Sequence, residues 1–226
     1  MPEGFEEREA AGALELAVYT DSAGEERLRA AFAAVSASPV EPGWEDAWRA
    51  FHRPVRAGGL WIGPPWERPP RGELAVVVDP GRAFGTGAHP TTRACLELLA
   101  RLPRGSLLDA GCGSGVLAAA AARLGFAPVY AFDSDPVAVA AARQTARRNG
   151  LPVEVARADI REDALPAVDT VVANIELRTV EALLARVAAR AAITSGYRAH
   201  ETPAVPGWRR VERVELEGWA ADALAK

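Results

Sequence analysis

The sequence predicts an α/β domain whose parallel sheet is covered by helices on both faces, and three observations carry that expectation. From residue 74 onward, strand-like and helix-like patterns alternate. A glycine-rich loop at 109–115 lies where a strand gives way to a helix. The composition, 49% hydrophobic and 25% charged over 226 residues, suits one full domain with a good core and a small appendage.

The elements follow in chain order. Residues 13–19 alternate apolar and polar as a half-buried strand does, residues 25–34 carry a helical period, and a short β-like stretch runs up to Val40. From 42 to 72 the composition turns to tryptophan, proline and glycine. Trp44, Trp48, Trp61 and Trp66 stand among Pro54, Pro64, Pro65, Pro69 and Pro70. Proline removes donors and fixes φ, so this segment is expected to hold neither regular helix nor central strand, and to pack its aromatics as a linker. A strand at 74–78 precedes a glycine-containing loop at 79–89 and a helix at 91–102. Strands are then expected at 107–109, 128–132, 153–156, 170–173 and 192–194, with helices at 116–124, 137–149 and 177–189. Asn149-Gly150 is the stop signal of the second of these helices, and a hairpin around 208–219 ends the pattern. The resulting division is a 1–42 appendage, a 43–72 linker and a 73–226 domain.

Charge and cysteine usage narrow the function. The net charge is −4 and Lys226 is the only lysine, which argues against direct nucleic-acid binding, since that needs a basic face. No apolar run is long enough to cross a bilayer, and MPEGFEEREA is acidic where a signal peptide is basic and then apolar. A cytoplasmic monomer without a membrane partner is expected. Cys95 and Cys112 have neither the number nor the spacing of a disulfide framework or a zinc site, and His52, His89 and His200 form no ligand pair, so no metal is expected.

The sharpest local signal is Leu107-Leu108-Asp109-Ala110-Gly111-Cys112-Gly113-Ser114-Gly115-Val116-Leu117. Glycines at a strand-to-helix turn let the backbone approach a ligand, with free N–H groups at the helix start, although a bare tight turn would look the same. A dinucleotide fingerprint would place a third glycine where Val116 stands. Asp109, just before the loop, would repel a pyrophosphate and suit the ammonium of a methionine moiety. Asp133, after the next strand, is placed to accept hydrogen bonds from two ribose hydroxyls, while Asp135 caps the helix opening at Pro136. Asp159, after the third strand, is placed either to accept from an adenine amine or to sit in a surface loop.

Together with Asp79-Pro80-Gly81-Arg82-Ala83-Phe84-Gly85-Thr86-Gly87-Ala88-His89-Pro90-Thr91-Thr92, these residues closely resemble the ribosomal protein L11 methyltransferase family, whose D-P-G-x-A-F-G-T-G-x-H-x-T-T segment stands here complete. The resemblance runs from about Gly43 to Asn174. It implies a Rossmann-like class I methyltransferase sheet, S-adenosylmethionine as cofactor, and methyl transfer to lysine or N-terminal amines of ribosomal protein L11; the alternatives are a related methyltransferase acting on another protein or a small molecule, and a non-catalytic cofactor-binding domain. Thr92, Gly111, Asp133 and Asn174 match the family's cofactor-binding positions. Phe84 and Thr86 lie in the loop that would close over the methionine end, and Gly113 lies in the glycine turn. Asn174 is also the expected catalytic residue: its side-chain carbonyl, with the main-chain carbonyl that follows, would take the N–H bonds of the acceptor amine. His89 is read as a satisfied structural histidine and Glu176 as an exposed helix-start acid. Against the family pattern, the front βαββαβ unit here starts at its second strand, Arg190-Ala191-Ala192-Ile193 replaces a Gly-Gly turn, and a short connection replaces a helix after Tyr197. One sheet face is therefore expected to be thinly covered.

Overall fold

The computed structural model describes residues 6–10, 13–17, 22–32, 34–37, 52–80 and 87–226. The chain divides into two compact units, Met1–Ala47 and Trp48–Lys226. The expected β stretch at Val40, and Trp44 and Trp48 of the linker, lie outside the described residues.

In the first unit β1 (Glu6–Ala10) and β2 (Ala13–Ala17) pair antiparallel, Glu6 opposite Ala17 and Ala10 opposite Ala13. A helix, α1 (Ser22–Ala31), follows, with Arg29 donating to Glu25 one turn back at 2.9 Å. The sequence reading did not anticipate β1. Its residues, EEREA, have little β propensity, and the pairing to β2 supplies what the residues lack.

The second unit begins where the linker was expected. β3 (Val55–Ala57), β4 (Leu60–Gly63) and β5 (Leu74–Val77) form a three-stranded sheet with β4 in the middle, antiparallel to β3 and parallel to β5. This corrects the expectation that the 42–72 segment holds no central strand. Pro54 and Pro64 flank a proline-free window instead of interrupting it, so the whole of β4 keeps its donors. Leu60, Trp61 and Ile62 are all buried. The outer edge of β5 meets side chains: Asn149 accepts from Val77 N–H at 2.7 Å and donates to Val77 O at 2.8 Å. Arg123 donates to Ala75 O at 3.0 Å and to Asn149 O at 3.0 Å. Two helix ends thus pair with the strand edge.

The main sheet has seven strands: β6 (Leu107–Ala110), β7 (Val129–Asp133), β8 (Val153–Arg157), β9 (Thr170–Asn174), β10 (Ala191–Arg198), β11 (Arg209–Leu216) and β12 (Trp219–Ala225). Their order is β11-β12-β10-β9-β6-β7-β8. Strands β6 to β10 run parallel, as the alternating pattern predicts. The sheet is nevertheless mixed, because β12 runs antiparallel to both β10 and β11. The two-residue turn Glu217-Gly218, both at positive φ, forces that hairpin.

Successive residues of each central strand serve opposite faces. Leu107, Val172 and Ile193 join the core beneath α2 (Pro90–Arg101), α3 (Val116–Arg123) and α4 (Pro136–Asn149). Leu108, Val171 and Ala192 join the core beneath α5 (Leu177–Arg186). Among the described residues α5 is the only helix in that second core, which Ile160, Val168 and Trp208 complete. The Trp208 indole donates to Leu184 O at 2.9 Å, so the short connection after β10 is pinned onto α5. The strand order reverses between β6 and β9, both parallel. In an open α/β sheet the crevice at such a point, beyond the carboxyl ends of the strands, is where ligands bind.

Candidate active site

A cleft of about 340 Å³ opens at that crevice, within the size range of small-molecule sites. Thr92, Asp109, Gly111, Gly113, Asp133, Asp159 and Asn174 all line it. Seven of the nine residues singled out from the sequence therefore share one cleft, contributed by α2 and by the ends of β6, β7, β8 and β9. The other two, Phe84 and Thr86, lie outside the described residues.

The glycine loop is built by β7. Gly111 N–H and Cys112 N–H both donate to Phe132 O, at 2.8 and 3.0 Å. Gly111 has φ +77°, and a Cβ there would lie 2.7 Å from Ile175 Cγ2. Glycine is needed on both counts. Gly113 N–H donates to Asp133 Oδ2 at 2.9 Å, while Asp133 Oδ1 accepts from Asp135 N–H at 3.0 Å. Each Asp133 oxygen thus keeps a second lone pair, and the half-buried carboxylate lines the cleft. Asp135 caps α4 as expected, accepting from Val137 N–H at 2.8 Å.

Asp109 is 1% exposed, and its Oδ2 accepts from Ala118 N–H at 2.9 Å. Ala118 is the third residue of α3, whose N-terminus has no side-chain cap of its own at Gly115. The carboxylate therefore serves an orphan donor at a helix start, a structural role the sequence reading did not foresee. Burial pushes the Asp109 carboxyl up to about 7 from 3.8; the Ala118 N–H lowers it, and the charge of Asp133 raises it further. A buried carboxyl held so high favours a cation beside it.

Asp159 is engaged more fully. Its carboxylate takes Arg161 Nε on Oδ1 at 3.0 Å and Nη2 on Oδ2 at 2.8 Å, and Oδ1 also accepts Arg161 N–H at 2.9 Å. The Arg161 side-chain hydrogen bonds hold its pKa down, at about 2. One lone pair, on Oδ2, is left for anything else in the cleft.

Asn174, the last residue of β9, donates from Nδ2 to Thr92 Oγ1 at 3.2 Å. Thr92 is buried in the first turn of α2. His89 caps that helix: Nδ1 accepts from Thr91 N–H at 3.3 Å and lies 2.7 Å from Thr91 Oγ1, and the ring meets Trp219 edge-on at 5.1 Å. This geometry is that of a structural histidine. Glu176 starts α5 without capping it through its side chain, and accepts from Thr179 Oγ1 at 2.9 Å.

The sequence reading missed Ile160, Arg161, Ile175 and Thr179, which also line the cleft. No glycine pattern or acid marks them; topology alone brings the 158–161 loop and the start of α5 to the crevice. Among the described residues the cleft is lined by three carboxylates and one arginine, Arg161, which is paired with Asp159. That balance suits a cationic ligand with hydroxyl and amine donors better than a pyrophosphate.

A family model described as ribosomal protein L11 methyltransferase (PrmA) matches residues 8–200. The ribosomal protein L11 methyltransferase of Symbiobacterium thermophilum is 46% identical over 155 residues, covering 66% of this chain and 51% of its own. That of Pelotomaculum thermopropionicum is 47% identical over 150 residues, covering 63% and 49%. The chain thus spans about half the length of these curated relatives. Among solved structures, the ribosomal protein L11 methylase from Lactobacillus delbrueckii subsp. bulgaricus superposes with a TM-score of 0.68 at 25% identity, covering 77% of this chain and 99% of that one. The Pyrococcus abyssi tRNA (uracil-54, C5)-methyltransferase, solved with S-adenosyl-L-homocysteine, shares the fold, with a TM-score of 0.54 at 19% identity over 73% of this chain and 45% of that one. The sheet is a Rossmann-like class I methyltransferase sheet, and with the family model spanning most of its length the chain belongs to the ribosomal protein L11 methyltransferase (PrmA) family.

Proposed function

We propose that the chain is an S-adenosylmethionine-dependent methyltransferase that modifies lysine or N-terminal amines of ribosomal protein L11. The observation that carries this reading is the convergence on one cleft of Asp109, the glycine loop and Asp133 with the Asn174–Thr92 pair. Relatives named for methylating that ribosomal protein supply the substrate. In this reading 73–226 is the catalytic domain and 1–42 an appendage, while 43–72 is the connecting segment whose strands β3 and β4 fold as part of the second unit.

The donor and acceptor set fits the cofactor. Asp109 is a buried carboxyl that gains from a nearby ammonium, Asp133 offers lone pairs to the ribose hydroxyls, and Asp159 keeps one for an adenine amine. Ile160 and Ile175 give the cleft apolar surface for a base. When bound, S-adenosylmethionine supplies an electrophilic methyl group on a sulfonium. The protein's share is alignment and desolvation. A lysine amine, with a reference pKa of about 10.4, must reach the site neutral, and a cleft wall that excludes water and offers an uncharged acceptor favours that form. With Nδ2 committed to Thr92, Asn174 has Oδ1 to accept the amine's N–H and aim its lone pair.

The test is incubation of the purified chain with methyl-labelled S-adenosylmethionine and purified ribosomal protein L11, with other ribosomal proteins in parallel. Label on L11 that is lost with Asn174→Ala is the expected result. Label confined to another protein would reassign the acceptor, and no transfer to any acceptor with cofactor bound would contradict the enzymatic reading.

A further inference from the structure

Ile175, the residue after Asn174, is held between two glycines. On one side its Cγ2 lies against Gly111; on the other its main chain lies against Gly196 of β10, where a Cβ would come within 2.1 Å of Ile175 O and 2.8 Å of Ile175 N. The two contacts differ in kind. A side-chain methyl can move away from an added Cβ, whereas a peptide can do so only if the chain shifts, and that chain carries Asn174. Gly196 also stands at φ +100°, outside the range of other L residues.

The strand is shaped to place that glycine. Opposite β12, Ser195 pairs with Ala221 and Tyr197 with Ala220, so Gly196 is an extra residue, a β-bulge. On its other edge β10 stays in register, with Ser195 opposite Asn174, and Ser195 O accepts Ile175 N–H at 3.1 Å. Buried polar groups fix the bulge. The Tyr197 hydroxyl donates to Asp222 Oδ2 at 2.9 Å and lies 2.8 Å from Thr194 Oγ1. Arg213 clasps the same carboxylate with Nε at 2.7 Å and Nη2 at 2.8 Å. Ser195 Oγ donates to Ala220 O at 2.7 Å. Asp222 and Ser195 are fully buried, and a satisfied buried network of this kind rigidifies the strand that bears it.

We propose that Gly196 is a positioning residue: the β10 bulge, locked by Tyr197 and Asp222, sets the Ile175 peptide and thereby the distance from Asn174 to Thr92. It touches no reacting atom. Its kinetic consequence rests on the reading of Asn174 given above; its structural consequence does not.

The test is Gly196→Ala in the full chain, with two readouts. The side-chain amide resonance of Asn174, assigned by its loss in Asn174→Ala, should move away from its parent position in the ¹⁵N spectrum. The single-turnover rate on cofactor-saturated protein should fall about tenfold or more, because a misaligned nucleophile loses its proximity advantage, while the dissociation constant for S-adenosylmethionine stays within about threefold. Loss of fold stability alone would not separate rate from affinity in this way. A folded Gly196→Ala with the Asn174 resonance unmoved overturns the proposal, as does one that transfers methyl at the parent rate. If Gly196→Ala does not fold, Tyr197→Phe decides: it keeps the ring and loses only the hydroxyl bonds, and an unmoved Asn174 resonance there overturns the proposal. If Asn174→Ala itself transfers methyl at the parent rate, the role of Asn174 fails, and the resonance alone then decides whether Gly196 positions it.

Discussion

Asn174 Nδ2 and Thr92 Oγ1 lie 3.2 Å apart, joining the end of β9 to the first turn of α2. The bond fixes the amide plane and turns the carbonyl end away from the helix. Thr92→Val keeps the shape and removes the acceptor, leaving a free amide rotor at the acceptor site. The expected result is a single-turnover rate lowered about tenfold, against a stability loss of about 1 kcal/mol. Asn174→Ala should lower the rate further with the fold intact. A folded Asn174→Ala with the parent rate would mark that residue as a strand-end amide satisfied within the protein.

Asp109 gives a pH signature. Its folded pKa, near 7, lies above the unfolded value of about 3.9, so the folded chain binds the extra proton between them. The stability this group contributes is complete below about pH 4, falls as pH rises toward 7, and is level beyond. An ammonium placed beside it draws the pKa down, so at pH 6 binding of S-adenosylmethionine should release up to one proton, and at pH 8.5 none. Titrations at each pH in two buffers of different ionisation enthalpy measure this directly. Proton release that persists in Asp109→Asn would assign it to another group.

The two other cleft aspartates should separate. Asp133 gives each oxygen one backbone donor and keeps a lone pair on both, so Asp133→Ala is expected to weaken S-adenosylmethionine at least about tenfold, through two charge-assisted hydrogen bonds of roughly 1.5–3 kcal/mol each. Asp159 has most of its capacity committed to Arg161, so Asp159→Ala should cost only a fewfold. Calorimetric dissociation constants check the order. Equal affinities for parent and Asp133→Ala would leave Asp133 as the latch of the glycine loop.

Asn149 should act on the fold alone. Asn149→Ala strips both partners from Val77 on the half-buried edge of β5 and is expected to destabilise by about 2–4 kcal/mol with cofactor affinity unchanged. Denaturant unfolding beside a binding titration tests both halves.

Much of this architecture was legible because apolar periodicity and capping residues mark it locally. Leu107-Leu108 before the glycine turn, Asp135-Pro136 opening α4 and Asn149-Gly150 closing it are signals within a few residues of what they specify. Where the outcome depended on partners distant in sequence, the sequence was silent. The strand β1 exists through its pairing with β2, and β4 through a proline-free gap that the surrounding prolines disguised. β10 was expected at 192–194 and runs Ala191–Arg198, because Tyr197 finds Asp222 on β12 and carries the strand through a glycine. In the cleft, the acids and glycines were legible as residue types. Their first obligations were not: Asp109 to α3 and Asp159 to Arg161 are tertiary facts.

The measurement that bears most directly on the cleft is calorimetric titration of the whole chain with S-adenosylmethionine and, separately, with NAD. Saturable binding of the first at one site per chain, abolished or weakened at least about tenfold by Asp133→Ala, with no heat from the second, is the expected result. Saturable NAD binding with no response to S-adenosylmethionine would contradict the assignment of the cleft and of the methyl-transfer chemistry built on it.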